Sequence, residues 1–507
     1  MPNSSLHLPK LTETLLSLNL FSLLQKLESR YSDEITCVGG CIRDSYFGRH
    51  RDPFDLDMII SNPDHVWEVS EFIGQEIGCS PFWLDQERKI VRIQTKGLHL
   101  DVNAIRANSL TEDAQSRDFT LNSLMIPLKE VVRTLSLQEE QYVVLDFTQG
   151  IADLFSRTLR APHFGIFQED PLRLLRMIRF KGVFSLEVES ETLHWAQASL
   201  PFLPRVAGER IREEWIRLLE LSDLANLLFW CDREHLFGSW FPFLSSLAEL
   251  DKNFTNPISV REHTLYTLQY LEQIFQRIDS GEFPHSEKVS NYLQEAWVEN
   301  RTKEKLLKMT ALLHDIGKAE TVTREENRLR FFGHEESGAT QAEPFLDHQG
   351  WSRREIEFIL HLIRTHMRPH GLSSAPYVSA NAQFRFFRQL GEEAIGSLLL
   401  ALADAYATRM LPMGTLTEYE LFIEQWLDFA YSPKKNIRKP LLDGNEIMKT
   451  LQISPSPLIR MIMEDLMEKE SEGVLVTADD AVQFILSQKE RYRSAASPLK
   501  DEKKSIE

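Results

Sequence analysis

The chain has 507 residues, of which 42% are hydrophobic and 26% are charged, and it carries four cysteines and a formal net charge of −18 at pH 7. This length predicts roughly two to four domains, and the net acidity excludes a general nucleic-acid coat while leaving room for a local basic groove. No apolar run approaches the ~20 residues of a membrane span, and four cysteines are too few for a disulfide framework. We therefore expect a cytoplasmic protein with reduced thiols and no membrane partner.

Residues 1–30 are predicted to form a helical lead-in. Their leucines recur at roughly helical spacing, which gives each helix one apolar face. These leucines are Leu11, Leu15, Leu16, Leu18, Leu20, Leu23, Leu24 and Leu27. We expect that face to pack against the domain that follows.

A strand, a glycine pair and a helix are predicted in succession after the lead-in. The β-prone run Ile35–Val38 ends at Gly39 and Gly40, and residues 41–47 are predicted to be helical. Glycine lets a backbone approach a ligand closely, and a helix start offers free N–H groups and a partial positive charge. The sequence therefore predicts a turn that binds phosphate.

Two carboxylates follow on the next predicted strand, residues 56–60. Asp55 and Asp57 alternate with Leu56, so both carboxylates leave the same face of the strand. Carboxylates beside a phosphate-binding turn predict a Mg²⁺ site, although either half alone is common in proteins without a metal. Joined in this order, they resemble the nucleotidyltransferase core of the class II tRNA nucleotidyltransferase (CCA-adding enzyme) and bacterial poly(A) polymerase family.

The resemblance implies that Asp55 and Asp57 hold Mg²⁺ in the head domain. A helix is predicted over 66–77, followed by strands over 90–94 and 98–102. Asp101 lies among alternating apolar residues of the last strand and is a candidate third catalytic carboxylate. Its alternative, a charged residue on an exposed strand face, fits the sequence equally well.

Two further segments resemble signatures of this family. Residues 116–124 match an Arg-Arg-Asp stretch followed by Asn-Ala, except that Ser116 replaces the first Arg and Ser123 replaces the Ala. Residues 146–154 match an Asp-Pro-x-Gly-Gly turn before Asp-Leu, but the Pro and the first Gly are missing. The resemblance implies contact with the nucleotide, its sugar and the metal for the first segment, and a hinge for the second.

The segment Glu169–Phe180 resembles the family's base-selecting signature. Asp170 and Arg173 are three residues apart and share one helix face. An Asp that accepts and an Arg that donates can imitate a Watson–Crick edge, and the resemblance implies that this pair selects CTP and ATP without a template. The alternative is an i,i+3 surface salt bridge. The residues implied to bind the nucleotide are Gly39, Gly40, Arg43, Arg117, Asp118, Asn122, Asp170, Arg173, Arg176 and Arg179.

A second chemical site is predicted beyond residue 251. An apolar helix runs into His314-Asp315-Ile316-Gly317-Lys318, and further His and Asp residues flank it. Imidazoles and carboxylates that converge from separate helices bind divalent transition metals. The pattern resembles the HD phosphohydrolase domain, which implies Mn²⁺, Ni²⁺ or Mg²⁺ there. The implied ligands are His263, His314, Asp315 and Asp404, with His334 and His366 as candidate additional ligands.

These patterns predict an α+β multidomain protein. It consists of a nucleotidyltransferase α/β head followed by an all-helical neck, HD domain and tail. We predict a lead-in at 1–30, the head at 31–165, a nucleotide-selecting and RNA-binding neck at 166–250, the HD domain at 251–430, a tRNA-binding tail at 431–486 and a disordered segment at 487–507.

The resemblance implies template-independent, Mg²⁺-dependent addition of CCA, or part of it, from CTP and ATP to tRNA 3′ ends. Addition of A alone, addition of C alone and poly(A) synthesis share these signatures and stay open. A hydrolase that works through its HD domain with an inactive head is a second class of function, and a non-catalytic RNA-binding protein is a third. The sequence leaves the oligomeric state open.

Overall fold

A computed structural model describes residues 3–31, 34–49, 52–251, 259–298, 301–325, 328–375, 380–432, 441–471, 474–489 and 491–492. The chain divides into two compact units, Met1–Pro242 and Phe243–Glu507. Part of the predicted tail at 431–486 and most of the predicted disordered segment at 487–507 lie outside the described residues. Within them, no helix combines the length and the apolar character that crossing a membrane requires.

The first unit contains a mixed sheet of eight strands among the residues described. The strands are β1 (Asn3–His7), β2 (Ile35–Val38), β3 (Phe54–Ile60), β4 (Phe82–Asp85), β5 (Ile90–Thr95), β6 (Leu98–Ala104), β7 (Met125–Pro127) and β8 (Gln141–Leu145). Their order across the sheet is β1-β8-β7-β2-β3-β6-β5-β4. The pair β3 and β6 is parallel and the other neighbours are antiparallel, so two strands that carry carboxylates run side by side at the middle of the sheet.

Helices accompany this sheet and then continue alone. They are α1 (Pro9–Ser17), α2 (Phe21–Tyr31), α3 (Gly40–Tyr46), α4 (Val66–Ile77), α5 (Leu110–Ser116), α6 (Leu128–Ser136), α7 (Gly150–Phe155), α8 (Ile166–Glu169), α9 (Arg173–Phe184), α10 (Ser190–Ser199), α11 (Gly208–Leu219) and α12 (Leu224–Arg233). A short parallel pair, β9 (Thr158–Leu159) and β10 (Glu187–Val188), interrupts the helices of the predicted neck.

The predicted head elements agree with the structure, and the lead-in differs in one respect. The helix over 66–77 and the strands around the glycine pair form where the pattern places them. Asn3–His7, however, is a strand and not part of a helical lead-in, because it pairs antiparallel with β8 at the edge of the sheet. Such a pairing depends on a partner about 140 residues away, which local periodicity does not encode.

The second unit is helical. Its helices are α13 (Phe243–Asp251), α14 (Val260–Asp279), α15 (Ser286–Gln294), α16 (Lys303–Leu313), α17 (Lys318–Thr321), α18 (His334–His348), α19 (Arg353–Thr365), α20 (Met367–Ser373), α21 (Ala380–Leu390), α22 (Ala394–Arg409), α23 (Thr417–Tyr431), α24 (Gly444–Leu451), α25 (Pro457–Ser471) and α26 (Ala478–Ser487). Two short ribbons also occur, β11 (Ala296–Val298) with β12 (Arg301–Thr302) and β13 (Thr323–Glu325) with β14 (Arg328–Arg330).

Helix α22 forms the centre of the predicted HD domain. Every residue from Ala394 to Ala407 is buried, and the helix packs against α14 along its length. A helix that is apolar on all sides belongs in a core. Asp404 is therefore an ionisable residue in a buried apolar helix, an arrangement that occurs when the charge is paired or binds a metal.

The three C-terminal helices, α24 to α26, have their own small core. Ile447, Ile462, Leu466, Ala481 and Ile485 are fully buried in it. This agrees with the helical tail predicted from the sequence.

Candidate active site and metal centre

The glycine turn lies directly beside a carboxylate and an arginine. Gly39 has φ of 79°, in the left-handed region that favours glycine. A Cβ atom at Gly39 would lie 3.5 Å from Asp57 Oδ2 and 3.6 Å from Arg117 Nη1. The turn thus brings backbone, carboxylate and guanidinium together, as the prediction requires.

Three carboxylates line the central strand pair. In the parallel register Asp57 lies opposite Asp101, and Asp55 lies opposite His99, whose Nδ1 is 3.4 Å from Asp55 Oδ1. Both oxygens of Asp101 accept hydrogen bonds from Arg92, each at 2.7 Å. Asp101 therefore stands beside the other carboxylates, but its charge is balanced by a guanidinium.

The charge of Asp57 is disfavoured in the protein alone. Burial and the nearby charge of Asp101 raise the pKa of Asp57 to about 6, with a further contribution from Asp55 and an opposing one from Arg117. A cation relieves both the desolvation and the repulsion between carboxylates. Oxygen ligands of this kind suit Mg²⁺, so the donor set of Asp55 and Asp57 fits a divalent cation.

A fully buried carboxylate, Asp113, orients Arg117. Asp113 Oδ1 accepts from Arg117 Nε at 2.9 Å, and Asp113 Oδ2 accepts from the backbone N–H of Arg106 at 3.0 Å. This contact leaves Arg117 Nη1 beside the glycine turn. Asp113 did not stand out in the sequence, where an acidic residue four positions before an arginine is a common helix pair.

Four of the residues predicted to bind nucleotide form a largely buried network. Asp118 accepts from Asn122 Nδ2 at 2.8 Å and from Arg176 Nε at 2.8 Å. Asn122 accepts in turn from Arg43, which is also paired with Asp44 at 2.7 Å. Burial would raise the pKa of Asp118, but Arg176 and Asn122 outweigh it and hold that pKa at about 2. Only Arg176 in this network is substantially exposed to solvent.

Arg179 is paired with a buried carboxylate on another helix. Its Nε donates to Glu214 Oε2 on α11 at 2.6 Å, and the residue is only 6% exposed. Burial lowers the pKa of Arg179 to about 10, against the opposing effect of Glu214. Arg179 therefore links α9 to α11, whereas the sequence predicted that it contacts the nucleotide.

Asp170 and Arg173 are held by different partners. Arg173 Nη2 donates to the Ser116 carbonyl at 2.9 Å and Nη1 to Glu169 at 3.2 Å, whereas Asp170 Oδ2 accepts from Arg210 at 2.8 Å. Within the described residues, Asp170 and Arg173 therefore do not form the i,i+3 salt bridge that was the alternative prediction. The turn 170–172 precedes α9, which begins at Arg173, so Asp170 lies before the helix and not on a helix face shared with Arg173 as predicted.

Local structure compensates for the departures of residues 146–154 from the family signature. Gln149 replaces the family's first glycine and adopts φ of 68° in the left-handed region. A Cβ atom at Gly150 would lie 2.3 Å from the Thr120 carbonyl oxygen, so this second glycine is required for packing. Asp146 accepts from the backbone N–H groups of Gly150 and Ile151, each at 2.9 Å, and fixes the turn.

The predicted HD residues converge in the second unit. Asp315 Oδ2 is 3.3 Å from both His263 Nε2 and His314 Nε2, and Asp404 Oδ1 is 3.0 Å from His263 Nε2. Asp315 Oδ1 faces the other way, 3.5 Å from His334 Nε2 and 3.8 Å from His366 Nε2. The two oxygens of Asp315 thus face different histidines. Within the described residues, His314 belongs to two candidate metal groups, one with His263 and Asp404 and one with Asp315 and His366.

The imidazole tautomers are fixed by backbone carbonyls. The Nδ1 atoms of His314, His334 and His366 each donate to a carbonyl oxygen at 2.8 Å. In their neutral forms these rings therefore present lone pairs at Nε2, the state that ligates a metal. The Nε2 atoms of His334 and His366 are only 3.3 Å apart, and a shared cation would remove the repulsion between facing lone pairs.

Two ring nitrogens that lack a hydrogen bond also support a metal centre at this position. In the described part of the chain, the buried Nε2 atoms of His263 and His314 make no contact of hydrogen-bond geometry. Burial would lower the pKa of His263, but Asp315 and Asp404 outweigh it and raise that pKa to about 9. Burial and His314 lower the pKa of His366 to about 3, so its ring is neutral. The donor set fits one or more divalent transition metals.

Two residues outside the predicted set orient Asp404 and Asp315. His370 lies 2.8 Å from Asp404 Oδ2 and in turn contacts Tyr419 Oη at 3.0 Å. Lys318 Nζ donates to Asp315 Oδ2 at 2.5 Å. Such contacts behind a ligand fix its orientation. His370 lies on α20, between the candidate ligands His366 and Asp404 in the sequence, and its spacing alone did not distinguish it.

The glycine of the His-Asp-x-Gly-Lys motif has a packing role. A Cβ atom at Gly317 would lie 2.1 Å from the His334 carbonyl oxygen and 2.4 Å from the Gly338 backbone nitrogen. Only glycine lets the start of α18 approach this closely, and that approach places His334 beside Asp315.

Comparisons with known proteins agree with both sites. A model described as the Poly A polymerase head domain matches residues 35–160, and a model of the HD domain matches residues 260–409. The CC-adding tRNA nucleotidyltransferase of Thermus thermophilus is 27% identical over 458 residues, covering 89% of this chain and 92% of that protein. The A-adding tRNA nucleotidyltransferase of Deinococcus radiodurans is also 27% identical, covering 88% and 94%. The chain thus contains a Poly A polymerase-type head domain and an HD domain, and these matches support its predicted resemblance to the class II tRNA nucleotidyltransferase and bacterial poly(A) polymerase family.

Solved structures share the fold of this chain. A complex of a CCA-adding enzyme with ATP has a TM-score of 0.65 and 19% identity, and covers 96% of this chain and 99% of its own. A Thermotoga maritima CCA-adding enzyme complexed with tRNA has a TM-score of 0.62 at the same identity and coverage. An α/β head followed by a helical region with an HD domain is therefore confirmed. The match to a nucleotidyltransferase head domain implies a dependence on divalent metal, and an HD domain binds metal.

Proposed function

We propose that this chain is a template-independent RNA nucleotidyltransferase that adds CCA, or part of it, from CTP and ATP to tRNA 3′ ends in the cytoplasm. The observation that carries the proposal is the convergence of the Gly39 turn, Asp57 and Arg117 within one small site. The CCA-adding relatives and the shared fold support it. The proposed partners are tRNA, bound along the neck and the tail, and the two nucleotides.

In the head, Asp55 and Asp57 hold Mg²⁺. When bound there, the metal lowers the pKa of the terminal ribose hydroxyl and neutralises the leaving pyrophosphate. Asp101, held by Arg92, keeps a third negative charge next to Asp57. We propose that Asp101 tunes the affinity of Asp57 for the cation and that Arg92 fixes its orientation.

Arg117 and Arg176 bind the triphosphate and the nucleotide, because a guanidinium donates in pairs to phosphate oxygens. The turn at Gly39 and Gly40 lets the backbone come close to the same phosphates. Four buried residues support this surface through hydrogen bonds within the protein, since their polar atoms are committed to protein partners. They are Arg43, Asp118, Asn122 and Arg179.

Asp170 and Arg173 present an acceptor and a donor to the incoming base. Arg173→Ala is expected to let UTP or GTP compete with CTP and ATP, because a lost base contact costs about ten- to a hundredfold in selectivity. The measurement is kcat/KM for each of the four nucleotides on a tRNA primer. Arg176→Ala is the comparison variant and is expected to slow all four alike. A common factor for all nucleotides in Arg173→Ala would contradict the assignment.

The extent of addition requires a direct assay. Relatives that cover about nine tenths of this chain include both a CC-adding and an A-adding enzyme. Purified protein is incubated with tRNAs that end before the first C, after C and after CC, with each nucleotide alone and in pairs. Completion of CCA supports full addition, and a stop after CC or activity on the CC end alone identifies a partial enzyme. Long A tails on any RNA identify a poly(A) polymerase, and no addition contradicts the proposal.

A metal-dependent phosphohydrolase activity of the HD domain is a second candidate function. The favouring observation is a pair of adjoining ligand groups, His263 with His314 and Asp404, and His314 with Asp315 and His366. We propose that this centre holds two cations, with Mn²⁺, Ni²⁺ or Mg²⁺ as candidates. Bound metal supplies a Lewis acid for the phosphoryl oxygen of a phosphomonoester or cyclic phosphate.

A further inference from the structure

Arg210 of α11 lies next to the proposed base-reading pair. Its Nη2 donates to Asp170 Oδ2 at 2.8 Å, and the other oxygen, Oδ1, accepts from the backbone N–H of Leu172 at 3.3 Å. Each oxygen of the Asp170 carboxylate thus has a donor of its own. Because these donors come from two different elements, the orientation of the carboxylate plane is fixed before a nucleotide binds.

Arg173 is fixed independently of Arg210. Its guanidinium donates to the carbonyl oxygens of Ser116 and Ile166 and to Glu169, at 2.9 to 3.2 Å. Within the described residues it makes no ion pair with Asp170. The donor half of the pair is therefore set by α5 and α8, and the acceptor half by α11.

The orientation of an acceptor decides which bases it favours. Cytosine N4 and adenine N6 are amino groups that donate, whereas the corresponding oxygens of uracil and guanine accept. An ionised carboxylate only accepts, so a well-oriented Asp170 rewards C and A and rejects U and G. We infer that Arg210 is a positioning residue that sets the preference for amino-bearing bases by holding Asp170. This inference rests on the proposed function of that pair.

The test uses Arg210→Gln, with Arg217→Gln as its matched control. Arg217 lies two turns further along the same helix, is 51% exposed against 52% for Arg210, and pairs with Glu214 instead. We measure kcat/KM for CTP, UTP, ATP and GTP on a tRNA primer. The ratios CTP to UTP and ATP to GTP are expected to fall about five- to tenfold in Arg210→Gln, a part of the discrimination of a full base contact. They are expected to stay unchanged in Arg217→Gln.

These ratios are insensitive to misfolding, because a fraction of inactive protein lowers every kcat/KM by the same factor. Arg210→Lys, which keeps a donor, is expected to recover part of the selectivity. In an Asp170→Asn background, Arg210→Gln is expected to change the ratios no further, since both act through one carboxylate. Equal scaling of all four nucleotides, or a further change in that background, overturns the inference. Failure of the unmodified protein to add any nucleotide instead overturns the proposed function.

Discussion

Asp57→Asn is expected to lower kcat for nucleotide addition by at least about a thousandfold, which corresponds to about 4 kcal/mol of lost transition-state stabilisation. The physical reason is the loss of a metal ligand at the centre of the carboxylate group. Asp55→Asn is expected to have a similar effect. The measurement is single-turnover incorporation of labelled CTP or ATP into a tRNA primer at saturating Mg²⁺.

Asp57→Asn is not expected to reduce the stability of the fold. Burial and Asp101 raise the pKa of Asp57 to about 6 in the folded state, from an ordinary value near 4. A carboxylate with a raised folded-state pKa contributes stability while protonated at low pH and loses it as the pH rises through about 6. At neutral pH without metal its charge therefore opposes folding, and Asp57→Asn is expected to keep or raise Tm.

Asp64→Asn is the control for loss of an acidic charge in the same domain. Asp64 is 85% exposed and pairs with Lys89 at 2.8 Å, so its replacement is expected to leave the rate of addition within about twofold. Retention of about a tenth of the rate in Asp57→Asn would contradict the metal assignment. An equal loss in Asp64→Asn would attribute the effect to charge alone.

The head site was predictable because its chemistry is local in sequence. A strand, two glycines and an alternating Asp pair within about 20 residues encode both the turn and the shared face of Asp55 and Asp57. The register with β6 then brings Asp101 beside Asp57, which an alternating strand pattern alone suggested but did not require. The sequence thus predicted that Asp55 and Asp57 share a strand face, and the pairing of β3 with β6 places Asp101 beside Asp57.

Partners that come from distant elements were not predictable. Arg179 and Arg176 are one turn apart on α9, yet one is buried against Glu214 and the other remains available at the surface. The sequence contains no signal for this difference, because it depends on how α11 packs. Likewise, nothing in the local pattern paired Arg92 with Asp101 or Arg210 with Asp170.

The HD ligands were predictable as a set but not as an arrangement. Their spacing named His263, His314, Asp315 and Asp404, whereas the division of ligands between the two oxygens of Asp315 required coordinates. The tautomers also required them, since each is fixed by a carbonyl three residues earlier in the chain. Such contacts depend on where each helix begins or ends, since His314 and His366 follow the last residue of a helix and His334 is the first residue of one.

Loss of the HD centre is the second large effect that we expect. The double variant His314→Gln with Asp315→Asn removes a fixed lone pair and the carboxylate that faces both ligand groups. Metal-dependent hydrolysis of p-nitrophenyl phosphate is expected to fall at least about a hundredfold, because the metal supplies the Lewis acid. Protein-bound Mn²⁺ or Ni²⁺, measured by elemental analysis after dialysis, is expected to fall with it.

Nucleotide addition separates the two centres in the same variant. If the head alone carries that reaction, its rate is expected to stay within about twofold of the unmodified protein, since the altered residues and the head site belong to different compact units and share no contact partner. His348→Gln, an exposed histidine at the end of α18, controls for the loss of an imidazole and is expected to change neither activity. Unchanged hydrolysis in the double variant would remove the phosphohydrolase assignment. An equal loss of addition and hydrolysis, with Tm lowered, would mean that the HD metal supports the fold and that its ligands are retained for stability and not for chemistry.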